Sequence, residues 1–217
     1  MAAFLIAILL PLFIYLTGDP ADQVRNFWAL RIAEQFSPLL GIAICSNILS
    51  MEWENRTADI WLTKSYPRSG VLLLRLSVAA ALTVLSVLLL TGQLYLTYVH
   101  FDWAEMLLVA IPGAIFLGTM GMLTGTALKN SAAAYIIPLG YWVFEMTTKG
   151  KYTGSMYLFS RTSIICEDVE DICIAIAKFG PWMVSKLLIL ALTACVIFIT
   201  AFILQRAGRK WLLFTTA

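Results

Sequence analysis

Few residues in this chain of 217 are of a type that does chemistry, and most of those stand without the partners that chemistry needs. The single histidine, His100, lies beside Asp102 in a short polar stretch, but no serine or cysteine is placed to act as its nucleophile, so no catalytic residue is assigned. Of the four cysteines, Cys45 and Cys195 fall inside apolar runs, while Cys166 and Cys173 share a polar loop. On one helix their spacing leaves them about 10 Å apart at 1.5 Å per residue, so a disulfide there requires a non-helical turn. Neither pair has C-x-x-C spacing, and no metal site is expected. No G-x-x-x-x-G-K-[ST] occurs, so nothing in the chain cradles the phosphates of a nucleotide.

Charged residues inside apolar runs are more informative, because a charge near the centre of a bilayer is costly and is usually functional. Arg31 and Glu34 are spaced to pair with each other as i, i+3 neighbours on one helical face. Two readings stand: the pair faces a substrate path, or it is an interfacial ion pair whose side chains snorkel to the headgroups. Glu145 is a further candidate for such a path, although its place near a run end, like that of Lys186, favours an interfacial position. A third group lies in the polar stretch Met51 to Lys64. Read as a helix, Trp53, Thr57, Ile60, Trp61 and Lys64 share one side, and Glu52, Arg56 and Asp59 another. Such a helix lies along the membrane surface. Its acids are not what an anionic leaflet attracts, so either it merely ends a span or something other than lipid docks there.

The elements that must hold these residues are apolar runs. Sixty per cent of the residues are hydrophobic, 13% are charged and the mean hydropathy is +0.84, which makes a bilayer the natural solvent. The runs are long enough to cross roughly 30 Å of hydrocarbon at 1.5 Å per residue. Short alternating strands are absent, so the fold class expected is an all-α integral membrane protein rather than a barrel. About six spans follow, within one transmembrane domain over 1–217: Ala2 to Thr17, Phe27 to Ser50, Val71 to Gly92, Met106 to Leu128, Ser131 to Thr147 and Met183 to Gln205. The first run has neither a basic n-region nor a convincing cleavage site and is read as a retained span. It opens almost at the first residue, which leaves open a cytoplasmic segment ahead of it.

With both termini inside, the cytoplasmic loops hold eight basic residues (Arg56, Lys64, Arg68, Arg75, Lys129, Arg206, Arg209, Lys210). The outer loops hold five (Arg25, Lys149, Lys151, Arg161, Lys178). The bias favours cytoplasmic termini in a multi-pass protein of the cell membrane. Trp28, Trp103, Trp142, Trp182 and Trp211 fall near span ends, where indoles prefer the headgroups. A net charge of +2, spread among loops, excludes nucleic acid as a partner. In the fourth span Gly113, Gly118, Gly121 and Gly125 predict close helix packing. Pro138 in the fifth makes either a hinge or a static kink. The outer segment 149–181 is expected to contain short helices that dip toward the membrane, because Met156, Tyr157, Leu158 and Phe159 are too apolar for water. Ile165, Val169, Ile172 and Ile176 recur at helical spacing, leaving Glu167, Asp168, Glu170 and Asp171 to face solvent as a lid.

The stretch after the second span resembles the cytoplasmic coupling helix of the membrane subunits of type-2 ABC exporters. In that family two glutamates one residue apart precede Gly-Thr, an acidic residue, leucines, and a Pro and Arg before span three. Here Glu52 and Glu54 match the glutamates, Thr57 the threonine, Asp59 the acid, Leu62 a leucine, and Pro67 and Arg68 the exit. Arg56 stands where glycine is usual, the proline comes one residue late, and the surface helix that relatives usually carry before span one is missing from this sequence. The resemblance implies that 51–64 is a coupling helix, with Glu52, Glu54, Arg56, Thr57, Asp59, Trp61 and Leu62 meeting a separate cytoplasmic ATPase subunit. It implies a second permease subunit, like or unlike this one, and a hydrophobic or amphipathic substrate such as a lipid, drug or antimicrobial peptide. No cofactor is expected in this chain, since ATP and Mg belong to the ATPase partners. Lys129-Asn130 would be a smaller cytoplasmic contact. The competing classes are a non-transporting sensor or immunity subunit, and an intramembrane enzyme, for which the clustered acids, histidine pair or serine and base are lacking.

Overall fold

The computed structural model describes residues 22–54, 68–97, 103–160 and 180–215. The first expected span and residues 55–67 lie outside them. Regular structure among the described residues is entirely helical: α1 (Asp22–Glu54), α2 (Arg68–Thr97), α3 (Trp103–Leu128), α4 (Ser131–Thr148), a 3-10 turn at Gly154–Met156, and α5 (Gly180–Thr215). Three stretches, Gly70–Leu96, Trp103–Leu128 and Trp182–Arg206, are long and apolar enough to cross a membrane, and the chain is a membrane protein. The helices contain the apolar runs from which spans two to six were expected and overrun them by a few residues at most ends, because a helix continues past the hydrocarbon as long as its backbone bonds are cheap to make. α5 overruns most, to Thr215.

Two tight connections show why the boundaries fall where they do. Between α3 and α4 the chain turns within two residues. Lys129 takes the left-handed conformation at φ 51° and Asn130 caps α4, its side-chain oxygen accepting from the Ala132 N–H at 2.8 Å. α4 ends in the same way at Lys149, φ 48°, whose N–H reaches the Glu145 carbonyl at 3.1 Å. Gly150 follows at φ 76°, with the Tyr157 ring packed so close that a Cβ would meet it at 2.6 Å, so both the conformation and the space require glycine.

Successive helices run antiparallel. Early residues of α1, α3 and α5 meet at one end, as Leu30, Val109 and Trp182, and the start of α2 meets the later parts of α3 and α5 at the other, as Leu72, Met122 and Leu204. α3 is the centre of the bundle: 67% of its apolar stretch is buried, against 33% for α2 and 22% for α5. What lets it sit there is the small-residue stripe. A Cβ on Gly118 would lie 2.8 Å from both Cys45 Sγ and the Gly41 carbonyl, one on Gly121 would strike Ser46, and one on Gly41 would strike the Ala114 carbonyl. The backbones of α1 and α3 therefore cross nearly in contact, which lipid tails cannot match for dispersion. Ser37 Oγ donates across this crossing to the Ala110 carbonyl at 2.9 Å.

The outward faces are apolar. Leu74, Val78, Leu82, Leu85 and Leu89 of α2, Ile136, Val143 and Phe144 of α4, and Leu187, Phe198 and Phe202 of α5 are all exposed in the isolated chain. In water such continuous faces would drive association, whereas in a bilayer they meet a solvent of their own kind.

Candidate functional site

Polar side chains converge where α1, α4 and α5 surround the segment that follows α4. Lys186, near the start of α5, is 4% exposed and its ammonium lies 2.7 Å from Glu34 Oε1 of α1, itself 2% exposed. The same ammonium donates to the Leu158 carbonyl at 2.7 Å. One residue earlier on α5, Ser185 Oγ donates to the Tyr157 carbonyl at 3.0 Å. Charge and backbone are thus satisfied by the same side chains, the condition under which an ion pair can persist away from water. The neighbouring α1 residue, Gln35, accepts from Trp142 Nε1 of α4 through its carbonyl at 2.7 Å and from Arg31 Nε through its side chain at 3.3 Å. Pro38 loosens α1 at this point because it has no N–H for the Glu34 carbonyl, which opens the adjacent Gln35 carbonyl to the indole.

Glu145 lies in the last turn of α4 and is fully buried. Its Oε2 accepts from Thr153 Oγ1 at 3.2 Å, the Tyr141 hydroxyl and the Leu158 backbone N–H face the same carboxylate, and its Oε1 has no hydrogen-bond partner among the described residues. Leu158 is therefore held at both of its backbone groups, its N–H toward Glu145 and its C=O accepting from Lys186, which is itself paired with Glu34.

The structure brings Glu34 and Glu145 into one neighbourhood and adds Lys186. Two expectations change. Glu145 and Lys186 do not snorkel: both are buried, because each finds donors or acceptors inside the bundle that the headgroups would otherwise supply. To the residues expected on one helical face the structure adds partners: Glu34 forms an ion pair with a lysine 152 positions away, and Arg31 Nε donates to the Gln35 side chain. Trp182, expected in the headgroup region, is packed under Leu30 and Val109 and is 2% exposed. Lys186 was visible as an intramembrane cation near the same end of the bundle as Glu34, and that complementarity at equal depth is the signal that would have paired them. Ser185 carried no such signal.

At the opposite end α1 runs on without a break through Glu54, so residues 51–54 of the expected coupling helix continue the helix in which the second span was expected. Arg56, Thr57, Asp59, Trp61 and Leu62 lie outside the described residues. Pro138 is buried, and the Ala134 carbonyl, which it deprives of a helical donor, receives Ser46 Oγ of α1 at 2.9 Å. The bond that Pro138 removes from the helix is thus made from another helix. Of the segment expected to lie outside, the turn at Gly154–Met156 is helical and Tyr157, Leu158 and Phe159 are buried, whereas Met156 is exposed. The expected lid residues 164–176 lie outside the described residues. No group of three or more histidines, cysteines or acids able to hold a metal occurs among the described residues. Compared with family models, with curated proteins and with solved structures, the chain matches none.

Proposed function

We propose that this chain is the membrane subunit of a type-2 ABC exporter, crossing the cell membrane about six times with both termini in the cytoplasm. It would pair with a second permease subunit and be driven by separate ATPase subunits that bind ATP and Mg. The observation that carries this reading is the acidic motif from Glu52 to Arg68, set directly after the second span. Its first two acids, Glu52 and Glu54, extend α1 at the end of the bundle remote from the Glu34–Lys186 pair, where a cytoplasmic partner would meet them. The buried charges are paired or hydrogen-bonded within the chain, which supports a hydrophobic or amphipathic substrate over an ion.

The test is charge reversal. Glu54→Lys and Asp59→Lys are expected to abolish co-purification with the ATPase subunit, or to separate its hydrolysis from transport, while the chain stays in the membrane. A helix that merely rests on lipid makes the opposite forecast, since each added lysine gains about 1 kcal/mol at an anionic leaflet. Wild-type co-purification and wild-type substrate-stimulated hydrolysis in both variants would remove the assignment. A sensor or immunity subunit differs in one respect: its ligand binds without stimulating ATP hydrolysis in the reconstituted complex.

A further inference from the structure

The stretch Tyr157-Leu158-Phe159 leaves the 3-10 turn and enters the bundle, its three side chains being 7%, 1% and 0% exposed. It packs with Ile42, Phe116, Leu117 and Ile189. Apolar burial accounts for the side chains but not for the backbone, because a buried carbonyl outside a helix needs a donor. Adjacent residues of α5 supply donors to adjacent carbonyls, Ser185 to Tyr157 and Lys186 to Leu158. Lys186 is in turn fixed by Glu34 of α1, and α4 approaches from the other side through Glu145, which accepts from Thr153 just ahead of the segment. Three helices grip one short segment.

We propose that residues 154–159 form a plug seated in this end of the bundle, and that Lys186, held in place by Glu34, is the latch that keeps it seated. The chemistry of the lysine makes the contact releasable. An ammonium has three protons, of which one goes to Glu34 and one to the Leu158 carbonyl. If the plug leaves, Lys186 remains paired with Glu34, so no buried charge is orphaned and only a charge-assisted hydrogen bond and the apolar contacts are given up. A lysine that bonded the plug alone would be stranded by the same movement. That this end faces outward, so that the plug closes the outer mouth of a transport path, rests on the function proposed above. The latch does not.

The experiment is hydrogen exchange on the full chain in lipid nanodiscs, comparing residues 152–160 with α3. Glu34→Gln with Lys186→Met removes both charges of this pair at once, so neither is left facing an emptied site and the bundle is expected to stay folded. A hydrogen bond from a charged donor is worth enough that exchange over 152–160 should rise roughly tenfold or more in this double variant, with α3 unchanged. The exchanged pair Glu34→Lys with Lys186→Glu restores opposite charges but offers the Leu158 carbonyl a carboxylate in place of a donor, so it too should exchange fast. Wild-type protection of 152–160 in both variants, or an equal loss of protection in α3, overturns the latch. Neither result depends on ATPase binding, so this proposal and the exporter assignment fail independently.

Discussion

Glu34 and Lys186 illustrate how little a buried ion pair has to contribute in order to be indispensable. Desolvating both groups offsets most of their attraction, yet removing one partner leaves an ion in a medium that cannot solvate it, at about 3–5 kcal/mol. Lys186→Met alone should therefore lower thermal stability in detergent far more than the double change Glu34→Gln with Lys186→Met, which should cost about 1–2 kcal/mol, the worth of the hydrogen bond to the Leu158 carbonyl. Equal losses in the two variants would mean that packing, not charge, holds the site. At this scale the sequence was legible only locally. It set Arg31 beside Glu34 because helical spacing places them together, whereas Lys186, at the far end of the chain, was tied to Glu34 only by a matching depth that several helix arrangements would satisfy. Reading Glu145 and Lys186 as interfacial followed from their position along a run, which encodes depth but not which side of the helix faces protein.

Among the elements, α4 depends most on a neighbour. Pro138 withholds a donor from the Ala134 carbonyl, and Ser46 of α1 provides one. Ser46→Ala should cost about 1–3 kcal/mol, since the carbonyl is left buried and unmet. Pro138→Ala restores a backbone N–H in the correct place, so adding it to Ser46→Ala should recover part of that loss despite the smaller side chain. Thermal unfolding of the two single variants and the double variant measures the coupling, and strict additivity would contradict this account. Helices of this kind were readable because in lipid an apolar run has no alternative to a helix. The tight α3–α4 turn was equally readable from Lys129-Asn130, and the close packing of α3 from its glycines. The serine that completes α4 was not, because a hydroxyl inside a span is compatible with several partners and its choice is made by tertiary packing.

For the molecule as a whole, the proposed orientation places the α3–α4 turn inside the cell and the turn after α4 outside. In a background whose four native cysteines are serine, Lys151→Cys should react with a membrane-impermeant maleimide on intact cells, and Asn130→Cys only after permeabilisation. The reverse pattern would invert the topology and put residues 51–64 on the wrong side to meet an ATPase. The crossing of α1 over α3 has a different kind of consequence, concerning which substitutions the chain can absorb. Along the outer face of α2 the only demand is oiliness, so Leu74, Val78, Leu82 and Leu89 are exchangeable for other apolar residues of almost any shape. At Gly41, Gly118 and Gly121 the demand is volume, and even alanine, oilier than glycine and a better helix former, is shut out by the backbone opposite. Two helices of one bundle thus obey different alphabets, one written in hydropathy and one in size, and drift in the sequence is expected to run freely along the rim while the axis stands still.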